Sequence, residues 1–286
     1  MALTAIDPII RERVLRLSRK LPTAPHIFSR LSGLLNDINA DLESISKLVS
    51  VDSGLTSRAI RMSNSAVFRG NEPVATLDEA ISRVGFREMH KIVGMAMTDQ
   101  IFQSGLPVYN LTAEEIWENS VVTALAMERL AGAAGEDESV AYTIGLLRPV
   151  GKLVLDIMIQ TQHPGVTCPE TETVDLPPWE RAWADLTSNE AGSMILEDWK
   201  LPEAAVTGVC FHYQPDAKTG RLGALLHVAC WLAKELGKGI KAETRQWNLS
   251  ENTLQLAGLT AEQVQECLAS TTEALTELQS RLKGGK

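Results

Sequence analysis

The chain has 286 residues, room for one large domain or two modest ones, and at that size about 75% of the unfolded surface is buried without a metal or disulfide staple. Apolar residues make up 44% and charged ones 22%, which excludes a disordered chain. An excess of acidic over basic residues, 36 against 27, gives a net charge of −9 and argues against nucleic acid as a partner, because non-specific affinity for phosphate backbones comes from Lys and Arg.

The predicted elements are helices from end to end. Asp7-Pro8 supplies an N-cap and a proline at the first helical position, and Ile10, Val14 and Leu17 then repeat at helical spacing. Thr76-Leu-Asp-Glu79, Thr112-Ala-Glu-Glu115 and Thr260-Ala-Glu-Gln263 are capping boxes, the last flanked by Leu259 and Val264 as a hydrophobic staple. Arg83, Arg87 and Lys91 would share one face of an unbroken helix, but Gly85 is placed to end a helix between them. Alternating β-branched runs with tight Asn-Gly turns do not occur, so the fold class is all-α.

Two breaks organise the chain. SGLPVYNLT at 104–112 suits a lobe boundary, and QHPGVTCPETETVDLPP at 162–178 suits a surface loop. The expected organisation is an N-terminal helical lobe over 1–105, a second helical lobe over 106–240 and a C-terminal helical extension over 241–286. In the last helix Val264, Leu268, Thr271, Leu275, Leu278 and Leu282 alternate by four and three as a heptad seam. That stripe either packs on the protein's own body or offers a homodimer contact through 261–283.

Four cysteines, at 168, 210, 230 and 267, form no CxxC pair and read as small apolar residues in a reducing compartment. The opening MALTAIDPIIRERVLRLSRK lacks the apolar core of a signal peptide. No run of about 18 apolar residues occurs. The expectation is a cytoplasmic protein with no membrane partner.

From residue 21 onward, LPTAPHIFSRLSGLLND is followed by ISKLVSVDSGLTSRAIRMSNSAVF and ATLDEAISRVGFREMHKIVGMAM. Further on come Ile116-Trp117, Gly145-Leu146-Leu147, Gly151-Lys152-Leu153, Glu190 with Gly192, and Trp199-Lys200-Leu201-Pro202. This ordered succession resembles the HDOD family, bacterial signalling-output domains related in fold to HD-type metal phosphohydrolases. The likeness covers about residues 15–235 and implies a two-lobe helical architecture with an HD-domain-like second lobe.

The resemblance allows a residue-by-residue test for catalysis. HD hydrolases gather His and Asp side chains onto one or two metals, and such a site needs about three or more converging ligands with an open position for water. At the matching positions this chain has Asn119, Arg148-Pro149, Ser188, His212-Tyr213 and Cys230, so of the expected ligands His212 alone is retained. Arg148 has no lone pair to offer. Its charge is expected to fill the metal's space, paired with a carboxylate such as Glu190, and Pro149 is expected to end the preceding helix by forcing Arg148 out of α geometry. No nucleotide-binding glycine loop and no nucleophile elbow occurs either.

Outside that set, Arg58, Arg61 and Asn64 share a helix face and either pack the first lobe or contact an anion or partner. His212 with Tyr213 reads as a buried polar pair or a ligand contact. The functional expectation is a non-catalytic signalling module that uses no cofactor and binds a signalling protein or small ligand in the former active-site cleft. The alternative is a phosphohydrolase or phosphodiesterase with a rearranged metal site built from Glu190, His212, Cys230 and Asp198.

Overall fold

The computed structural model of the chain describes residues 6–21, 42–64, 73–169, 174–217 and 219–283, and within the helices at 42–43 and 278–283 it describes the backbone alone. Residues 22–41 and 65–72, which carry part of the ordered succession read from the sequence, and the seam side chains Leu278 and Leu282 lie outside the described residues and side chains.

Among the described residues there are fourteen α-helices and no β-strand. The first five are α1 (Pro8–Ser18), α2 (Leu42–Ser50), α3 (Ser53–Ser63), α4 (Leu77–Val84) and α5 (Phe86–Ile101). A 3₁₀ turn, Pro107–Tyr109, leads into α6 (Ala113–Ala134), α7 (Glu138–Leu147) and α8 (Val150–Gln162). Then follow α9 (Leu176–Ala184), α10 (Ser188–Asp198), α11 (Glu203–Phe211) and α12 (Arg221–Glu235). A second 3₁₀ turn, Lys241–Gln246, precedes α13 (Glu251–Ala257) and α14 (Ala261–Lys283).

Local chemistry sets the helix starts. Asp7 accepts from the Ile9 N–H, and Thr76 with Glu79 and Thr112 with Glu115 close both halves of their capping boxes. Thr260 and Gln263 bond reciprocally in the same way. Each such cap stabilises its helix by about 1 kcal/mol. Gly85, at φ 81°, ends α4 and starts α5, which sets Arg83 on a different helix from Arg87 and Lys91.

The 104–112 segment closes on itself through an isolated bridge, Leu106 with Leu111, whose two N–H···O bonds measure 2.8 and 3.1 Å. One cluster of buried apolar side chains nevertheless runs from Val14 to Cys267, so the helices on either side share a core. Helix α1 packs on α10 and α8, tied at the surface by Arg11–Glu197 at 2.6 Å and Arg19–Asp198 at 3.0 Å.

Helix α6 is the hub, touching α5, α7, α12 and α14. On α14, Val264, Thr271 and Leu275 are buried, so the described part of the heptad seam packs within the chain. All four cysteines are free thiols and buried. Among the described residues no helix is long and apolar enough to cross a membrane.

Candidate functional site: a buried charge cluster

The turn between α7 and α8 carries Arg148 and, one helical turn later, Lys152. Two glycines let it press inward. A Cβ on Gly145 would lie 2.5 Å from the Ala124 Cα of α6, and one on Gly151 would lie 1.9 Å from the Ser188 carbonyl oxygen at the start of α10. Pro149 does end α7 at Leu147, but Arg148 keeps right-handed helical backbone, φ −45° and ψ −46°. The expected extended Arg148 is thus corrected: its N–H still bonds the Ile144 carbonyl, and the N–H that Pro149 lacks is what divides the helices.

So placed, Arg148 Nη2 donates to Asn119 Oδ1 at 2.6 Å, and Asn119 Nδ2 donates onward to the Lys238 carbonyl at 2.7 Å. Arg148 Nη1 donates to both carboxylate oxygens of Glu243, at 2.7 and 2.9 Å. Lys152 Nζ lies 2.8 Å from Glu243 Oε1 and donates to Ser188 Oγ at 2.8 Å and Tyr213 Oη at 2.9 Å. Tyr213 Oη in turn donates to Glu243 Oε1 at 2.8 Å. Glu180 of α9 completes the set: its carboxylate accepts from Tyr109 Oη at 2.9 Å and from the Ser188 N–H at 2.7 Å, and stands 3.5 Å from Lys152 Nζ.

Arg148 is 4% exposed, Lys152 2%, Glu243 1% and Glu180 0%, so water screens none of them. Two cations face two carboxylates and the cluster is formally neutral, which is how a chain keeps charge in its interior. Burial alone would raise the Glu243 carboxyl, but Arg148 and then Lys152 outweigh it and bring it down to about 2. Burial works against both cations too, yet Cys230 and then Glu243 hold Arg148, and Glu243 with Tyr213 and Glu180 hold Lys152, above the ordinary value. The Tyr213 hydroxyl is pushed up, by burial first and then by Glu243.

An aromatic wall closes the cluster. Trp247 lies 6.0 Å from the Arg148 guanidinium carbon and stacks on His212 at 5.7 Å and 28°. His212 Nδ1 donates to the Val209 carbonyl at 2.7 Å, which leaves Nε2 as the lone-pair nitrogen, buried and without a partner among the described residues. Burial, reinforced by Arg148, lowers the His212 pKa to about 3.

The positions singled out from the sequence therefore meet: Asn119, Arg148, Ser188 and Tyr213 bond within the cluster, and His212 stacks against it. Cys230 is buried within electrostatic reach of Arg148, and burial pushes its thiol up to about 12. Glu190 does not join them, which corrects the expected Arg148–Glu190 pair. Its carboxylate closes a capping box on Thr187, at 2.8 and 2.9 Å, and takes Arg181 at 2.7 Å, because the third position of α10 turns it back over the helix end. Asp198 likewise points elsewhere, to Arg19 just past the end of α1.

Arg58, Arg61 and Asn64 lie at a different place. Arg58 pairs with Asp99, and both line an open cavity of about 350 Å³ with Arg61, Glu114 and Trp117. Asn64 ends α3 and clamps Val74, its side chain bonding that residue's C=O and N–H at 2.7 Å each.

A divalent ion does not fit the donors present. The Asn119 oxygen is taken by Arg148, and the Ser188 and Tyr213 oxygens are met by Lys152. Cys230 stays a protonated thiol, so the lone pair left over is that of His212 Nε2, with two fixed cations nearby. Among the described residues no three His, Cys, Asp or Glu side chains group as a ligand set.

The described residues form an all-helical body, the fold class that the ordered sequence landmarks imply. The HDOD domain family matches residues 21–215, more than half of the chain, and the chain belongs to that family. A solved HDOD domain protein with unknown function from Geobacter sulfurreducens is 19% identical, with a TM-score of 0.68 over 95% of this chain and 97% of that one. A Marinobacter aquaeolei VT8 structure with a provisional signal-transduction name is 19% identical, with a TM-score of 0.72 over 96% and 65%. A Shewanella amazonensis SB2B structure with a provisional phosphohydrolase name is 22% identical, with a TM-score of 0.66 over 94% and 98%. In sequence, an uncharacterized protein of Treponema pallidum (strain Nichols) is 24% identical over 200 residues, 68% of this chain. The chain spans about 37% of the length of that curated relative.

Proposed function

We propose that the protein is a non-catalytic HDOD signal-transduction module, cytoplasmic, that binds a protein partner or small ligand and passes on a conformational signal. The observation that supports this reading is the buried pair Arg148 and Lys152, neutralised by Glu243 and Glu180 beside Asn119 and Ser188, positions that the family resemblance matches to metal ligands. A guanidinium and an ammonium there repel a divalent cation instead of ligating it. The net charge of −9 favours a protein or small-molecule partner over nucleic acid.

The opposing reading, a phosphohydrolase with a rearranged metal site, draws on the free lone pair of His212 Nε2. One experiment separates them: calorimetric titration with manganese, iron and zinc, alongside turnover of a phosphodiester dye and a cyclic dinucleotide with and without chelator. The expected result is no stoichiometric metal binding and no chelator-sensitive turnover. Stoichiometric binding with turnover would establish the enzyme.

A further inference from the structure

The three donor groups that converge on Glu243 make an arrangement that would suit any anionic oxygen group. Its carboxylate receives two N–H bonds from Arg148, the Lys152 ammonium and the Tyr213 hydroxyl, all between 2.7 and 2.9 Å. Charge-assisted bonds of this length are the strong class that proteins use to hold carboxylate and phosphate. Arg148 stands at the end of α7 and Lys152 in the first turn of α8, whereas the carboxylate arrives on a different kind of element: the 3₁₀ turn Lys241–Gln246, which has no side-chain cap and lies beyond the family-matched residues 21–215.

Two further observations point to a ligand. Arg148 Nε is buried and has no partner among the described residues, an N–H donor that Glu243 leaves unused. A cavity of about 190 Å³, lined by Tyr109, Glu118, Lys238, Lys241 and Ala242 among others, shares its wall with the segment that carries Glu243. Tyr109 bonds Glu180 in the cluster, and Lys238 offers its carbonyl to Asn119, so the cavity and the cluster are joined through named bonds.

We propose that Arg148, Lys152 and Tyr213 form a binding site for an anionic oxygen group, carboxylate or phosphate, which Glu243 fills as an internal substitute and an outside ligand takes by displacing the 241–246 turn. The proposal rests on the signalling-module reading and gives its small ligand a chemical class. Displacement moves the turn, and with it the wall of the neighbouring cavity and the Trp247 cover, which is the conformational change a signalling module needs.

The test uses the full chain in chelator, with acetate and inorganic phosphate as probes and chloride at equal ionic strength as control. Glu243→Ala deletes the four heavy atoms that acetate would restore. It is expected to show saturable thermal stabilisation by acetate or phosphate, abolished when Lys152→Met is added. Wild type is expected to saturate as well, at least tenfold more weakly, because its open state is a small fraction of the population. The anion that saturates at lower concentration assigns carboxylate or phosphate.

A folded Glu243→Ala that ignores both anions, or a wild type with no saturable binding, overturns the proposal. Where Glu243→Ala fails to fold in chloride, recovery on refolding in acetate or phosphate supports it and failure in all three salts refutes it. Because metal is excluded throughout, failure here leaves the non-catalytic reading intact, and stoichiometric metal binding in the separate titration would sink that reading without this one.

Discussion

Replacing Glu243 by Gln keeps the shape of the side chain and removes its charge, leaving Arg148 and Lys152 with Glu180 as the remaining carboxylate of the cluster. Two independent routes give the cost. Removing one partner of a buried ion pair destabilises by about 3–5 kcal/mol, since the charge left behind stays desolvated. The fall of the Glu243 pKa from 4.5 to about 2 corresponds to roughly 3 kcal/mol by proton linkage. At about 2–4 °C per kcal/mol, Glu243→Gln is expected to melt about 6–20 °C below wild type at pH 7.

The sign of the pH dependence follows from the direction of the shift. Glu243 is an acid whose folded value lies below its unfolded one, so its contribution is full above about pH 4.5 and fades as the pH drops towards 2. Urea unfolding of wild type and Glu243→Gln at pH 7, 4.5 and 3 therefore reads out the difference directly. The gap is expected to hold from pH 7 to 4.5 and to narrow at pH 3. A gap under about 1 kcal/mol at pH 7, or one that does not change with pH, would refute the electrostatic account of the cluster.

Further expectations concern its neighbours. Gly151→Ala drives a methyl against the Ser188 carbonyl and is expected to destabilise by about 3 kcal/mol in chemical denaturation, against under 0.5 for an exposed control. Tyr109→Phe removes a donor from buried Glu180 and is expected to cost about 1.5–3 kcal/mol by the same measurement. ¹⁵N spectra of the imidazoles are expected to show His212 neutral and protonated on Nδ1 down to pH 4, and a shift near pH 6 would contradict its burial. Light scattering is expected to report a monomer, because Val264, Thr271 and Leu275 are spent inside the chain; a dimer would return the α14 seam to an intermolecular role.

What could be read from the sequence was what is local or carried by ordered landmarks. The caps at Asp7, Thr76, Thr112 and Thr260 lie within three residues of the groups they satisfy, so their chemistry is visible in a short window. The convergence of Asn119, Arg148, Ser188 and Tyr213 followed from the family resemblance, which orders helices that spacing alone cannot bring together. The long-range Arg148–Glu190 pairing fails because Thr187-Ser-Asn-Glu190 is itself a capping box, a local signal that outweighs it. Glu180, Tyr109, Trp247 and above all Glu243 left no such trace. Glu243 is 95 residues from Arg148 and sits in a segment that read as a mere extension, so its role exists only in the folded chain.

The order in which these charges are made has a consequence of its own. On a ribosome, Arg148 and Lys152 emerge well before Glu243, and until that residue clears the exit tunnel the nascent chain holds a guanidinium and an ammonium with Glu180 as their one cluster carboxylate. A fragment cut at residue 215 would keep Arg148 and Lys152 but lose Glu243, and is expected to be less stable than the whole chain.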